Sequence, residues 1–199
     1  GLSISRLGVG TAPLGGLFSP VADHEVDGVI SRGIELGLTY FDTAPFYGNG
    51  SSERRIGQRL REVPRSSFRI STKVGRLLVP TESIEPTGYF DLDPFNPVFD
   101  YSASGIRKSL EESLERLGLD SVDILYIHDP DDYLDQAIND AYPELDKMRS
   151  EGLVSSIGVG TNLAEIGARF VRETDIDVAL VAGRYTLLDQ IALEDFLPE

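Results

Sequence analysis

Six short, β-rich apolar runs alternate with six amphipathic stretches in one uninterrupted series, and this alternation constrains the fold more than any other feature of the chain. Residues 7–11 read as the first strand. A helix follows from about Asp23, read as its N-cap, with Val26, Val29, Ile30 and Ile34 at helical spacing and Gly37 after its end. The second strand is predicted at 39–42, with a helix from Ser51 or Ser52 that carries Ile56 and Leu60 on one face. Residues 68–74 form the third strand. From Gly75 to about Asp100 the chain reads as a long irregular stretch punctuated by Pro80, Pro86, Pro94 and Pro97, a length that is usually functional or disordered. Ser102 then caps a helix with an apolar stripe of Ile106, Leu110, Leu114 and Leu117, stopped by Gly118. Strand four at 122–127 is apolar at nearly every position, as a parallel strand covered on both faces would be. Pro143 suits the first turn of the next helix, which runs to about Glu151. Strand five (155–160), a helix (163–173), strand six (178–182) and a sixth helix opening at Asp189 complete the series.

Strand–helix–strand connections cross over right-handed, so such a series builds an open doubly wound sheet or a (β/α)₈ TIM barrel. The dinucleotide fingerprint G-x-G-x-x-G that favours the former is absent, because Gly8-Val9-Gly10 runs into Thr11-Ala12-Pro13 and Gly158-Val159-Gly160 into Thr161-Asn162-Leu163. The loops after strands one to four are also elaborate, and a barrel concentrates its chemistry there. The expected fold is therefore an α/β, (β/α)₈ TIM barrel with about six βα units present.

Composition narrows the chemistry. With no cysteine and only His24 and His128, disulfide frameworks, thiolate nucleophiles and Cys/His zinc sites are excluded, and any metal site would need carboxylates; none is expected. A net charge of −15 argues against nucleic acid or an anionic membrane surface as partner. No apolar run reaches the roughly 18 residues of a membrane helix and the first twenty residues lack a signal-peptide layout, so a cytoplasmic protein is expected. The sequence leaves its oligomeric state open.

Four ionisable residues fall at or just beyond the C-terminal ends of successive strands: Asp42, Tyr47, Lys73 and His128. Each has a plain structural alternative: a loop brace for Asp42, packing for Tyr47, an edge lysine for Lys73, a satisfied core donor for His128. In a barrel, however, those strand ends surround one pocket. A lysine buried there needs a carboxylate, and Asp42 is the obvious one. Its ammonium would favour phenolate at Tyr47 and draw that pKa from about 10 toward the working range. His128 could then donate to a carbonyl or hydroxyl oxygen. No side chain here carries a hydride, so redox chemistry would need a cofactor. Two other chemistries remain open: a Schiff-base lyase using Lys73, and a non-catalytic nucleotide-binding regulatory subunit.

At these residues the chain resembles the aldo-keto reductases. Leu7-Gly8-Val9-Gly10-Thr11 is similar to the family's opening strand, Phe41-Asp42-Thr43-Ala44 with Tyr47-Gly48 to its signature, Ile70-Ser71-Thr72-Lys73 to its lysine strand, and the segment from Leu117-Gly118 to His128 to the run before its histidine. The resemblance implies a (β/α)₈ barrel using NAD or NADP. It makes Tyr47 the general acid/base, Lys73 the modulator of its pKa, Asp42 the partner of Lys73, and His128 the group that orients the substrate oxygen. It places Gly10, Thr11, Asp42 and Thr161 or Asn162 against the cofactor, and it puts Ala182 where many relatives have a glutamine three residues before a tyrosine, here Tyr185. The segments around Asp129-Pro130-Asp131-Asp132, Phe99-Asp100-Tyr101-Ser102 and Gly183-Arg184-Tyr185 resemble the family's sugar dehydrogenase branch, which implies an aldose or related aldehyde/alcohol as substrate. A whole barrel takes about 250 residues. Residues 1–199 are accordingly expected to be a single barrel domain, cut short at its C-terminus.

Overall fold

The computed structural model describes residues 2–90 and 92–199. Its organising element is a parallel sheet of β1 (Val9–Gly10), β2 (Tyr40–Asp42), β3 (Arg69–Val74), β6 (Ile124–His128), β7 (Ser156–Thr161) and β8 (Val178–Val181), in that spatial order. Along this sheet, neighbours in space follow one another in sequence. A doubly wound sheet reverses direction at a switch point. This one never does, and the expected TIM-barrel topology is what the strands adopt.

The helices lie along one face of the sheet. They are α1 (Asp23–Glu35), α2 (Ser51–Leu60), α3 (Ala103–Leu117), the single turn α4 (Leu134–Gln136), α5 (Tyr142–Ser150) and α6 (Ala164–Glu173). Phe41, Ile70, Leu125, Ile127, Ile157 and Val159 pack with Ile30, Ile56, Ile106, Leu145 and Phe170 in the buried apolar layer. Because side chains alternate along a strand, the opposite set, Tyr40, Asp42, Ser71, Lys73, Tyr126 and His128, falls on the other, inner face. Parallel register aligns it across strands, with Asp42 beside Ser71, Lys73 beside Tyr126, and His128 beside Gly160. α3 is built as its sequence dictates: the Ser102 hydroxyl accepts from Gly105 N at 3.1 Å, and Gly118 takes the left-handed conformation (φ 62°) that ends it. Gly57 lets α2 approach α3, since a side chain there would overlap the Leu117 carbonyl.

Three expectations need correction. Asp23 is the first residue of α1 rather than its cap; extended Ala22 precedes it, the Ala22 N–H donates to Glu25 Oε2 at 2.9 Å, and Asp23 pairs with Arg55 at 3.2 Å. The stretch after Gly75 is not irregular throughout, for β4 (Arg76–Pro80) and β5 (Phe95–Phe99) pair antiparallel as a two-stranded ribbon. In such a ribbon each strand has a free edge, so prolines are tolerated there that a central strand would reject. The helix expected from Asp189 reduces to a 3₁₀ turn, Ile191–Leu193. Thr186 Oγ1 accepts from Leu188 N and Asp189 N, and Asp189 Oδ1 from Ile191 N, so local side-chain bonds hold turns in place of helix.

Candidate active site

β2 and β3 deliver Asp42 and Lys73 to one end of the sheet, and the loop after β2 turns back through Gly48, Asn49 and Gly50, all at positive φ, to bring Tyr47 over them. Lys73 is 2% exposed, and its three ammonium protons are matched by Asp42 Oδ2 at 2.7 Å, the Thr43 carbonyl at 2.9 Å and the Tyr47 hydroxyl at 2.8 Å. Burial works against that charge, but Asp42 and the other partners outweigh it and raise the Lys73 pKa. An amine so protonated and so held is a poor nucleophile, which weighs against Schiff-base chemistry.

Tyr47 departs from the sequence-based expectation. Its pKa is raised, because burial outweighs the pull of the Lys73 ammonium, although that pull has the expected sign. The resting residue is a neutral phenol with Lys73 already on its oxygen. His128 ends β6, its ring edge-on to Tyr47 with centroids 5.9 Å apart. Burial, with the charges of Lys73 and then Arg76, holds its pKa well below the ordinary value, so it is a neutral imidazole. These groups face a cavity of about 400 Å³ whose lining includes Tyr47, Lys73, Tyr89, His128, Thr161, Asn162 and Ala182. Asp42 stands behind Lys73. Thr11 is fully buried beneath, its hydroxyl donating to the Asp42 carbonyl at 2.8 Å and accepting from Ser52, while Gly10 is exposed at the end of β1; neither lines the cavity.

With this arrangement in view, comparison with known proteins is direct. The model of the aldo/keto reductase family matches residues 6–198. The chain belongs to the aldo/keto reductase family. It is 45% identical to D-threo-aldose 1-dehydrogenase from a Pseudomonas species and 37% identical to pyridoxal 4-dehydrogenase from Microbacterium luteolum, each over all of this chain. It spans 62% and 64% of those two relatives. Among solved structures, an aldo-keto reductase-type protein from Pseudomonas aeruginosa superposes with a TM-score of 0.75 at 33% identity, covering 98% of this chain and 68% of that one. The resemblance to the aldo-keto reductases and to their sugar dehydrogenase branch is thereby shown.

The candidate site also contains groups that the sequence pattern did not single out. Tyr89 lies against Tyr47 with centroids 6.3 Å apart. Arg76, the first residue of β4, sits with its guanidinium 4.3 Å from the Phe46 ring and 4.9 Å from that of Phe99 and donates to Asp129 Oδ2 at 2.9 Å. Beneath Lys73 a chain of hydroxyls continues the network: Ser71 Oγ donates to Asp42 Oδ1 at 2.7 Å, Tyr40 meets Ser71 at 2.9 Å, and Tyr126 meets Tyr40 at 3.1 Å. Burial raises the pKa of both Tyr40 and Tyr126, which keeps them protonated and able to donate toward the carboxylate. The alternation of Tyr40 with Asp42, Ser71 with Lys73 and Tyr126 with His128 was the available signal, since residues two apart share a strand face.

Proposed function

We propose that this chain carries the proton-transfer centre of an NAD(P)-dependent oxidoreductase that interconverts an aldose, or a related aldehyde or alcohol, with its oxidised or reduced partner. The observation that carries the proposal is Lys73, buried between Asp42 and Tyr47 at a cavity that a neutral His128 also faces. The relatives named as D-threo-aldose and pyridoxal dehydrogenases support the substrate class. A bound nicotinamide would supply or accept the hydride.

The residues present fit such a group. The cavity lining includes Gly160, Leu180 and Ala182, small or apolar residues suited to a flat ring, together with the exposed Asn162 amide and the buried Thr161, whose hydroxyl accepts from Leu163 N at 3.0 Å. Ala182 carries no amide of its own, so the carboxamide contact falls to Thr161 or Asn162. Gly10 can offer only its backbone at the end of β1. Thr11 acts one layer below, holding the strand that presents Asp42.

In reduction, Tyr47 gives its proton to the substrate oxygen, and Lys73 stabilises the phenolate that remains. In oxidation the same phenolate takes the proton back. Asp42 keeps Lys73 charged and in place. His128, neutral, donates one N–H to the substrate oxygen and leaves the net charge of the site unchanged. A raised Tyr47 pKa makes the phenol a reluctant donor until negative charge develops on the oxygen it faces, which confines proton transfer to the reacting complex.

The wider reading is a single barrel domain to which these residues contribute six of the strands, acting on a small molecule in the cytoplasm with no nucleic acid or membrane partner. Among the described residues no helix is long and apolar enough to cross a membrane. The test is absorbance of the reduced nicotinamide, formed from NAD or NADP with L-fucose, D-arabinose, galactose and pyridoxal, or consumed from NADH or NADPH with simple aldehydes. Turnover of at least one supports the proposal; turnover of none of them, nor of any simple aldehyde, overturns it.

A further inference from the structure

Directly after His128 the backbone does something costly. Asp129 takes a φ of 40°, in the left-handed region that non-glycine residues rarely adopt and that is retained where surrounding contacts enforce it. Those contacts are explicit. Tyr101, fully buried, directs its hydroxyl at both the His128 carbonyl (2.6 Å) and the Asp129 carbonyl (3.0 Å). Asp129 N donates to the Gly160 carbonyl at 2.8 Å. Arg76, flanked by the Phe46 and Phe99 rings, donates to Oδ2, and Asn162 Nδ2 donates to Oδ1 at 3.2 Å. The carboxylate so fixed lines the cavity, with Oδ2 only 3.4 Å from His128 Nε2.

A carboxylate whose two oxygens carry about four acceptor directions has capacity left after one guanidinium and one amide proton. Asp129 lines the cavity beside His128 Nε2, the nitrogen that would hold the reacting oxygen. An oxygen on the neighbouring carbon of a substrate lies about 3 Å from that reacting oxygen, so two such oxygens can be met by His128 Nε2 and Asp129 Oδ2, which stand 3.4 Å apart. We propose that Asp129 is a specificity-determining residue that accepts a hydrogen bond from the hydroxyl adjacent to the reacting carbon, selecting α-hydroxylated carbonyl compounds and their cyclic forms over deoxy analogues. Arg76 and Tyr101 are its positioning residues. The proposal deepens the reading of the cavity as a substrate site and rests on it.

The discriminating ligands are D-arabinose and its 2-deoxy counterpart, which differ by that one hydroxyl. Binding of each is measured by ligand-observed NMR titration, which needs no turnover, for the wild-type protein, Asp129→Asn and Asp129→Gly. Both replacements tolerate positive φ, so both keep the loop. The wild type should prefer D-arabinose by at least about tenfold, the scale of a hydrogen bond to a charged acceptor. Asp129→Gly should bring the ratio near one, with Asp129→Asn between. Absence of preference in the wild type, absence of binding, or a ratio that survives in Asp129→Gly overturns the assignment. Discrimination without hydride transfer to any tested substrate would refute the oxidoreductase reading and leave the assignment of Asp129 standing.

Discussion

Replacing Asp42 by Asn removes the charge that keeps Lys73 an ammonium while preserving the shape of the side chain and an oxygen for Ser71. The lysine is 2% exposed and the Asp42 side chain 13%, so solvent screens the pair little. Removing one partner of a buried pair costs about 3–5 kcal/mol, because the other charge is left without compensation. Asp42→Asn should therefore lower the unfolding free energy by about that much at a pH of about 7. The pH dependence supplies the sharper test. In the wild type, Lys73 has its pKa raised above 10.5 on folding, so its stabilisation is present below the unfolded-state pKa and is lost only as pH climbs through the higher folded value. In the variant, burial, the largest influence on Lys73, loses its main opponent, and the folded pKa drops beneath the unfolded one. The unfolded chain then binds more protons between the two values, and stability rises with pH there. Between a pH of about 7 and about 10 the cost of Asp42→Asn should shrink, by up to about 1.4 kcal/mol per unit. Urea unfolding followed by circular dichroism, compared at constant m-value, measures it. A cost below about 1 kcal/mol, typical of exposed pairs, or a cost independent of pH would refute the reasoning.

Further predictions address the surrounding groups. Ser71→Ala leaves Asp42 Oδ1 without its 2.7 Å donor and should cost about 1–3 kcal/mol in stability, measured by the same unfolding assay, with Tyr40→Phe costing less because it sits one bond further from the charge. His128 is kept neutral by burial and by Lys73 and Arg76, so as pH falls below about 6.5 the unfolded chain takes up a proton that the native state refuses. Wild type should thus lose stability relative to His128→Gln between a pH of about 7 and about 5, and parallel stability curves for the two would contradict the assignment.

The architecture was legible because its strands alternate with helices in strict order and because polar residues stand where parallel apolar strands end. Asp42, Lys73 and His128 could be read from that pattern alone, and the Lys73–Asp42 pairing from the cost of a buried charge. The ribbon of β4 and β5 was not legible: four prolines in 26 residues mask strand periodicity, and residues 81–94 separate the two strands. Arg76 was passed over for a related reason, since Asp129 lies 53 positions away and Phe99 is on the ribbon strand that went unseen. The sign of the Tyr47 shift depends on how deeply the loop seats the ring against Tyr89, and composition does not carry that depth.

The central claim is that Tyr47 moves the proton while its neighbours hold it ready. The direct measurement is single-turnover hydride transfer by Tyr47→Phe, monitored by nicotinamide absorbance, alongside cofactor titration by fluorescence. The expected result is a rate reduced by about a hundred- to ten-thousand-fold with cofactor affinity within a few fold of wild type. A near-normal hydride-transfer rate, or a loss explained entirely by failure to bind cofactor, would contradict it.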